Sequence, residues 1–321
     1  MIKAGKEKNR IKRSALRTFK TNWGLLLLCM PALIAYILFH YIPMYGILLA
    51  FKHYRFDLGI LRSPWVGLRN FEFLIRSGDL WMLARNTVGY NLAFIVVGLV
   101  VGVGLALLLY EISSRRSLKL FQTSMLLPNF LSWVIVGYIA FALFSTSNGL
   151  INGMLRFFGR DRLDIYTTPE YWPFILVMVN TWKGIGMGCL IYYAALMGID
   201  SELFEAAKID GANKWKQIRY ISIPGLVPLM TMMTILSLSG IFRGDFGLFY
   251  TIPRNIGILN SVTDVVDTYL FRGIAGSGGA NLQNSFEIAA AVGLIQSVVG
   301  FVMVLSTNLV IRKVSPENSL F

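Results

Sequence analysis

The fold this sequence predicts is an all-α integral membrane protein with six transmembrane helices, and three observations carry it. Hydrophobic residues fill 55% of its 321 positions and charged residues only 15%. Mean hydropathy is +0.60, above the range of soluble domains. Several apolar runs reach roughly 20 residues, the length at which a helix crosses ~30 Å of hydrocarbon. Lipid offers the backbone no hydrogen-bonding partner, so runs of that length must satisfy their own amides as helices.

Six segments pass the length test: 24–51, 84–112, 118–146, 172–197, 223–243 and 286–311. The first follows a basic stretch from Lys3 to Lys20, as a signal peptide would. Its apolar run is too long for an h-region, however, and no small-x-small cleavage site follows. It therefore reads as a span, with Pro43 as the place to tilt or break. The second opens with Tyr90 and Asn91 among apolar residues, and the third is interrupted by Pro128 and Asn129. The fourth carries Lys183 in its middle. The fifth starts at Pro224, where a missing backbone N–H costs least. The sixth is closed by Arg312 and Lys313. Cys29 and Cys189 lie inside apolar segments without a CxxC pattern, and both read as small buried residues.

The net charge of +13 does not indicate nucleic acid, because the basic residues cluster before and between the apolar runs rather than among aromatics on a soluble face. They set the topology instead, since Lys and Arg in short flanks are retained on the cytoplasmic side. The tail 1–23 carries eight of them against Glu7 alone. With the loop of Arg115, Arg116 and Lys119 and the tail 312–321, this places both termini in the cytoplasm around a membrane domain at 24–311. The outer segment 52–83 runs against the rule with Arg55, Arg62, Arg69 and Arg76, although Asp57, Glu72 and Asp79 offset them. Segments 147–171 and 244–285 also face outward, and Gly273, Gly276, Gly278 and Gly279 make part of the latter a candidate flexible stretch.

The inner segment 201–224 reads SELFEAAKIDGANKWKQIRYISIP. Ser201 is the expected cap of a short helix, with Glu202 and Glu205 near the positive end of its dipole. Gly211 is the expected left-handed terminator, and a second helix resumes over Asn213 to Tyr220 until Pro224 restricts Ile223. Ala206 and Ala207 permit close approach beside Leu203 and Phe204, as for a helix inserted into a partner's groove. These features also fit a helix lying on the membrane surface.

The spacing Glu205-Ala206-Ala207, three residues, Gly211, nine residues, Ile221, one residue, Ile223-Pro224 resembles the cytoplasmic EAA loop of binding-protein-dependent ABC importer permeases. Only Ile223 departs, where many members have Leu. A second segment, SPWVGLRNF from Ser63 to Phe71, is similar to one in carbohydrate-type permeases, especially those for oligo- and polysaccharides. The resemblance implies a coupling helix that docks on an ATPase subunit through Glu205, Ala206, Ala207, Asp210 and Gly211, with Ile221 and Pro224 completing the motif. It also implies a second related permease as heterodimer partner, two ATPase subunits, an external solute-binding protein, a glycan substrate and the bacterial cytoplasmic membrane. The chain contains no GxxxxGK[ST], so ATP and Mg belong to the ATPase, and no cofactor or metal is expected here.

Lys183 lies 11 residues into the fourth span, about 16 Å from its start. A charge there costs ~2.5–3.5 kcal/mol unless it faces the bundle or water. With Asn180 and Trp182 it is a candidate sugar-pathway lining, and equally a structural contact to a carbonyl or acid. Arg243 and Asp245 at the outer end of the fifth span, Tyr90 and Asn91, and Asn129 are further pathway candidates; snorkelling or helix packing accounts for them as well. The cations raise an acidic, alginate-like glycan as a cargo. A membrane-embedded enzyme is the alternative class, but HExxH, GxSxG and paired intramembrane aspartates are missing, and Asp264-Val-Val-Asp267 reads as a solvated turn rather than a metal site. A passive channel would need no inserted cytoplasmic helix.

Overall fold

The computed structural model describes residues 22–275 and 285–314, and the helices it contains are numbered here in chain order. The basic tail up to residue 21, Gly276, Gly278 and Gly279 of the glycine stretch, and residues 315–321 lie outside the described residues.

Among the described residues five helices are long and apolar enough to cross a membrane: α1 (Trp23–Phe51), α3 (Asp79–Tyr110), α7 (Trp172–Met197), α9 (Lys214–Ser239) and α12 (Ser285–Val314). Between them, α2 (Arg69–Ser77) lies before α3, α6 (Leu150–Phe157) before α7, α8 (Ser201–Ile209) before α9, and α10 (Phe246–Thr251) and α11 (Val266–Ala275) before α12. The predicted third span, 118–146, is not straight. Its residues form α4 (Arg115–Leu126), a 3-10 turn at Leu127–Phe130 and α5 (Trp133–Phe144), with a bend of 100°. Pro128 withholds a ladder amide at the bend, and the Ser132 hydroxyl accepts from Ile135 N–H to start α5 afresh.

Two other expectations change in the same way. The first span does not break at Pro43; a π turn at Ile37–Tyr41 passes into a 3-10 stretch at Ile42–Phe51, and the chain remains helical. The fifth span does not begin at Pro224. Ile223 is right-handed helical, and α9 runs through it by way of a π turn at Ile218–Ser222, whose i→i+5 bonding absorbs the amide that proline lacks. Cys29 is exposed on α1 rather than buried, while Cys189 is buried. Among its described side chains only Ala50 of α1 is buried; the helix stands clear of the bundle over its first part and joins it at its end, where Ile42–Phe51 packs on α12.

The bundle is organised on α3 and α7, which pack along most of their length. At Gly102 a Cβ would just meet the Tyr192 ring at 3.4 Å, so glycine lets the helices approach. The α4 end crosses α7 at Gly186, where a Cβ would sit 2.1 Å from the Met125 carbonyl oxygen. Nearest α8, Val103, Ala106, Leu109, Cys189, Tyr192, Leu196 and Leu226 form one core. At the opposite end, Trp172, Tyr166, Phe144, Leu248, Phe249 and Ile252 form another. A third joins the end of α1 to α12 through Ala50, Leu74, Leu83, Ile288 and Val292. The SPWVGLRNF segment ties that third core down, because buried Asn70 donates to the carbonyls of Ala50 (2.9 Å) and Lys52 (3.1 Å), where α1 ends.

Candidate functional site

At one end of the bundle, α8 is a two-and-a-half-turn helix closed at both termini by local chemistry. Asp200, not Ser201, is its cap, accepting from Glu202 N–H at 3.0 Å; a carboxylate there also meets the positive end of the helix dipole. Gly211 has φ +73, and the amides of Gly211 and Ala212 donate back to the carbonyls of Lys208 (3.1 Å) and Ala207 (2.8 Å). This double bond pattern is a Schellman ending, which requires a left-handed residue at Gly211. Asn213 then caps the next turn by accepting from Lys216 N–H at 3.0 Å. Gln217 is buried and donates to Ala212 O, so the connection is rigid.

Two contacts fix this hairpin on the bundle. Phe204 packs on the Tyr110 ring at the end of α3, with centroids 5.7 Å apart, and Lys214 pairs with Glu111 at 2.5 Å. The remaining face is free. Glu205, Ala206 and Asp210 are exposed, and so are Leu203 (54%), Ile209 (87%) and Trp215 (79%). Ala207 is half-buried, and Ile221 and Pro224 sit on α9 beyond the hairpin. The helix thus offers small and apolar side chains around the Glu205 carboxylate, which has no partner among the described residues.

The pathway candidates are dispersed. Lys183 donates to the backbone carbonyl of Asn129 at 3.0 Å and lies 5.0 Å from the Trp133 ring, so it closes the carbonyl freed by the α4–α5 bend. Asn91 donates to Thr87, Ile241 and Arg243 carbonyls, sealing the end of α9. Tyr90 is buried against Phe249 and donates to Val262 O at 2.7 Å. Asp245 caps α10 by accepting from Leu248 N–H, Arg243 is exposed, and Trp182 is 43% exposed. The segment Asp264–Asp267 is not a solvated turn. Asp264 is buried, accepts from Thr268 and pairs with Arg272, while Asp267 accepts from Gly244 N–H and from Gln296. Burial lowers the Arg272 pKa, and the pairing with Asp264 compensates the buried charge.

Two of these candidates enter clefts between spans: Tyr90 lines one of about 400 Å³ between α3 and α7 with Gly89, Pro173 and Val177, and Asn180 lines another. Asn180 joins Thr181, Gly184, Gly188, Thr234 and Ser237 in a groove of about 230 Å³ where α3, α7 and α9 meet. Thr181 Oγ1 is buried there without a hydrogen-bond partner, the one such side-chain atom among the described residues. Sequence reasoning passed over Thr181 and Ser237 because single hydroxyls in an apolar run resemble ordinary helix packing. The alternation of Gly184 and Gly188 one turn apart was the available signal for a groove.

The family described as binding-protein-dependent transport system inner membrane component matches residues 95–316. A polygalacturonan/rhamnogalacturonan transport system permease protein of Bacillus subtilis is 31% identical over 311 residues, 97% of this chain and 94% of that protein. An arabinooligosaccharides transport system permease protein of Halalkalibacterium halodurans is 26% identical over 303 residues, 91% and 89% of the two chains. Among solved structures, a bacterial ABC transporter involved in import of the acidic polysaccharide alginate superposes with TM-score 0.82 and 30% identity over 94% of this chain and 99% of that one. The bacterial alginate transporter in complex with its alginate pentasaccharide-bound periplasmic protein gives TM-score 0.80 at 30% identity, over 93% of this chain and 97% of that one.

Proposed function

This chain belongs to the family of binding-protein-dependent transport system inner membrane components, and from that premise we propose that it is one permease half of an ATP-driven importer of an oligo- or polysaccharide. A second, related permease completes the pathway, and two copies of a separate ATPase bind at the α8 end. A solute-binding protein delivers the glycan at the opposite end, and both termini lie in the cytoplasm.

The observation that carries the coupling assignment is α8 itself. A nine-residue helix fixed by Asp200, Gly211, Phe204 and Lys214, yet exposing Leu203, Ile209 and an unpaired Glu205, is a rigid lever with an unfilled contact face. A helix resting on a membrane surface would not need both ends locked. The groove holding Asn180 and Thr181 supports a glycan route, since hydroxyls and amides there can exchange partners with sugar hydroxyls. An oligo- or polysaccharide is supported as the cargo by what these related permeases and the alginate transporter are named for.

Mass measurement of the complex purified with its co-expressed neighbours tests the assembly. Two permease chains and two ATPase chains are expected; a transport-competent single chain without ATPase would refute it.

A further inference from the structure

A further cleft, apart from those at Tyr90 and Asn180, opens between α5 and the turn after α10, and its volume is about 270 Å³. On α5, Gly137, Tyr138 and Phe141 form a stripe at helical spacing, and Tyr250, Arg254 and Asn255 face it. Gly137 makes the approach close: a Cβ there would be 3.1 Å from the Thr251 carbonyl oxygen. The Arg254 guanidinium sits over the Phe141 ring at 4.0 Å, and Tyr138 is 69% exposed beside it.

Three features distinguish Arg254 from an ordinary surface arginine. Its side chain has no hydrogen-bond acceptor or carboxylate partner among the described residues, and no acidic residue lines the cleft. The ring of Phe141 covers one face of the guanidinium, leaving the edge, with its fork of N–H donors, open. Arg254 and Asn255 both take left-handed backbone conformations, φ 59 and φ 53, which are strained for residues other than glycine. The surroundings hold that conformation. Pro253 is buried before it, and Arg272 donates to Asn255 Oδ1 at 3.5 Å while its own charge is met by Asp264. Arg254 is therefore the uncompensated cation, placed in advance.

We propose that Arg254, with Tyr138, Phe141 and Tyr250, forms a subsite for a carboxylate-bearing sugar residue of an acidic glycan. The inference rests on the import reading above and names its substrate class. A uronate carboxylate has the planar two-oxygen geometry that the guanidinium fork accepts in parallel. The apolar C–H face of the same sugar ring can lie on exposed Tyr138, and Tyr250 and Asn255 also line the cleft, Asn255 with its amide N–H donors to offer the sugar hydroxyls. Phe141 is eight residues beyond Trp133, which Lys183 approaches, so Arg254 lies about 12 Å further along α5 toward the end opposite α8. The subsite would engage the glycan before it reaches the bend.

Uptake by cells carrying the full transporter tests this, with labelled oligogalacturonate as probe and the same oligosaccharide reduced at its carboxyl groups as the neutral twin. R254Q is expected to lower the ratio of acidic to neutral uptake about tenfold, the scale of a lost charge-assisted pair. R254K, which keeps the charge but not the fork, is expected to fall between; it also decides the matter if R254Q fails to assemble. An unchanged ratio in both variants, or a wild type that takes up only the neutral twin, would overturn the subsite. A wild type that takes up neither probe nor any neutral glycan would overturn the import reading, and the subsite with it.

Discussion

At the scale of single residues, the same charged group can line a route or hold a helix together, and hydrogen bonding decides which. Lys183 was legible as a costly intramembrane charge, but not its partner, because the bend that frees the Asn129 carbonyl comes 54 residues earlier in the chain. The K183M variant removes the donor and leaves that part-buried carbonyl without one, a loss of about 1 kcal/mol. Thermal unfolding of the purified complex is expected to show the destabilisation, whereas an unchanged midpoint with reduced uptake would return Lys183 to the pathway. Asp264 carries the same lesson. Its neighbours in sequence suggest a solvated turn, and only folding brings Arg272 and Thr268 to it. At the opposite end of the bundle, burial raises the Tyr166 pKa from 10.0 to about 12 despite the lowering influence of Arg254.

Helices and their breaks form the next scale. Five of the six apolar runs became long helices with boundaries within a few residues of those expected, apart from the early start of α9 at Lys214. Their lengths are set by bilayer thickness, which hydropathy reads directly. The third run failed as a straight span for a reason that composition does not encode. Pro128 weakens the helix, but the 100° bend is completed by the Ser132 cap, by Lys183 and by the backbone crossing at Gly186. G186A should force the α4 end off α7, because the added methyl would overlap the Met125 backbone. The expected cost is about 1–3 kcal/mol, read as a lowered unfolding temperature. G104A, whose methyl would meet nothing within 4 Å, is the control expected to be neutral or slightly stabilising. Equal behaviour of the two would mean that the crossing does not hold the bend.

On the scale of the whole molecule, the proposed assembly is supported by the surfaces the chain leaves open: the first part of α1 buries no described side chain, and α8 exposes Leu203, Ile209 and Glu205. The helix α8 was legible in sequence because its alanines and its left-handed terminator Gly211 are local, although its cap is Asp200, one residue before the expected Ser201. The groove at Thr181 and the cleft at Arg254 were not, since each is assembled from segments distant in the chain. The central claim is that α8 transmits ATP hydrolysis to the pathway. Its most direct test is ATP hydrolysis by the reconstituted complex in proteoliposomes, with and without glycan-loaded binding protein. The wild type and G211N, in which asparagine tolerates the left-handed backbone, are expected to be stimulated. G211V, strained by about 1–3 kcal/mol at φ +73, and E205A, which loses the exposed carboxylate, are expected to lose stimulation and transport together. Wild-type stimulation in both G211V and E205A would contradict the account.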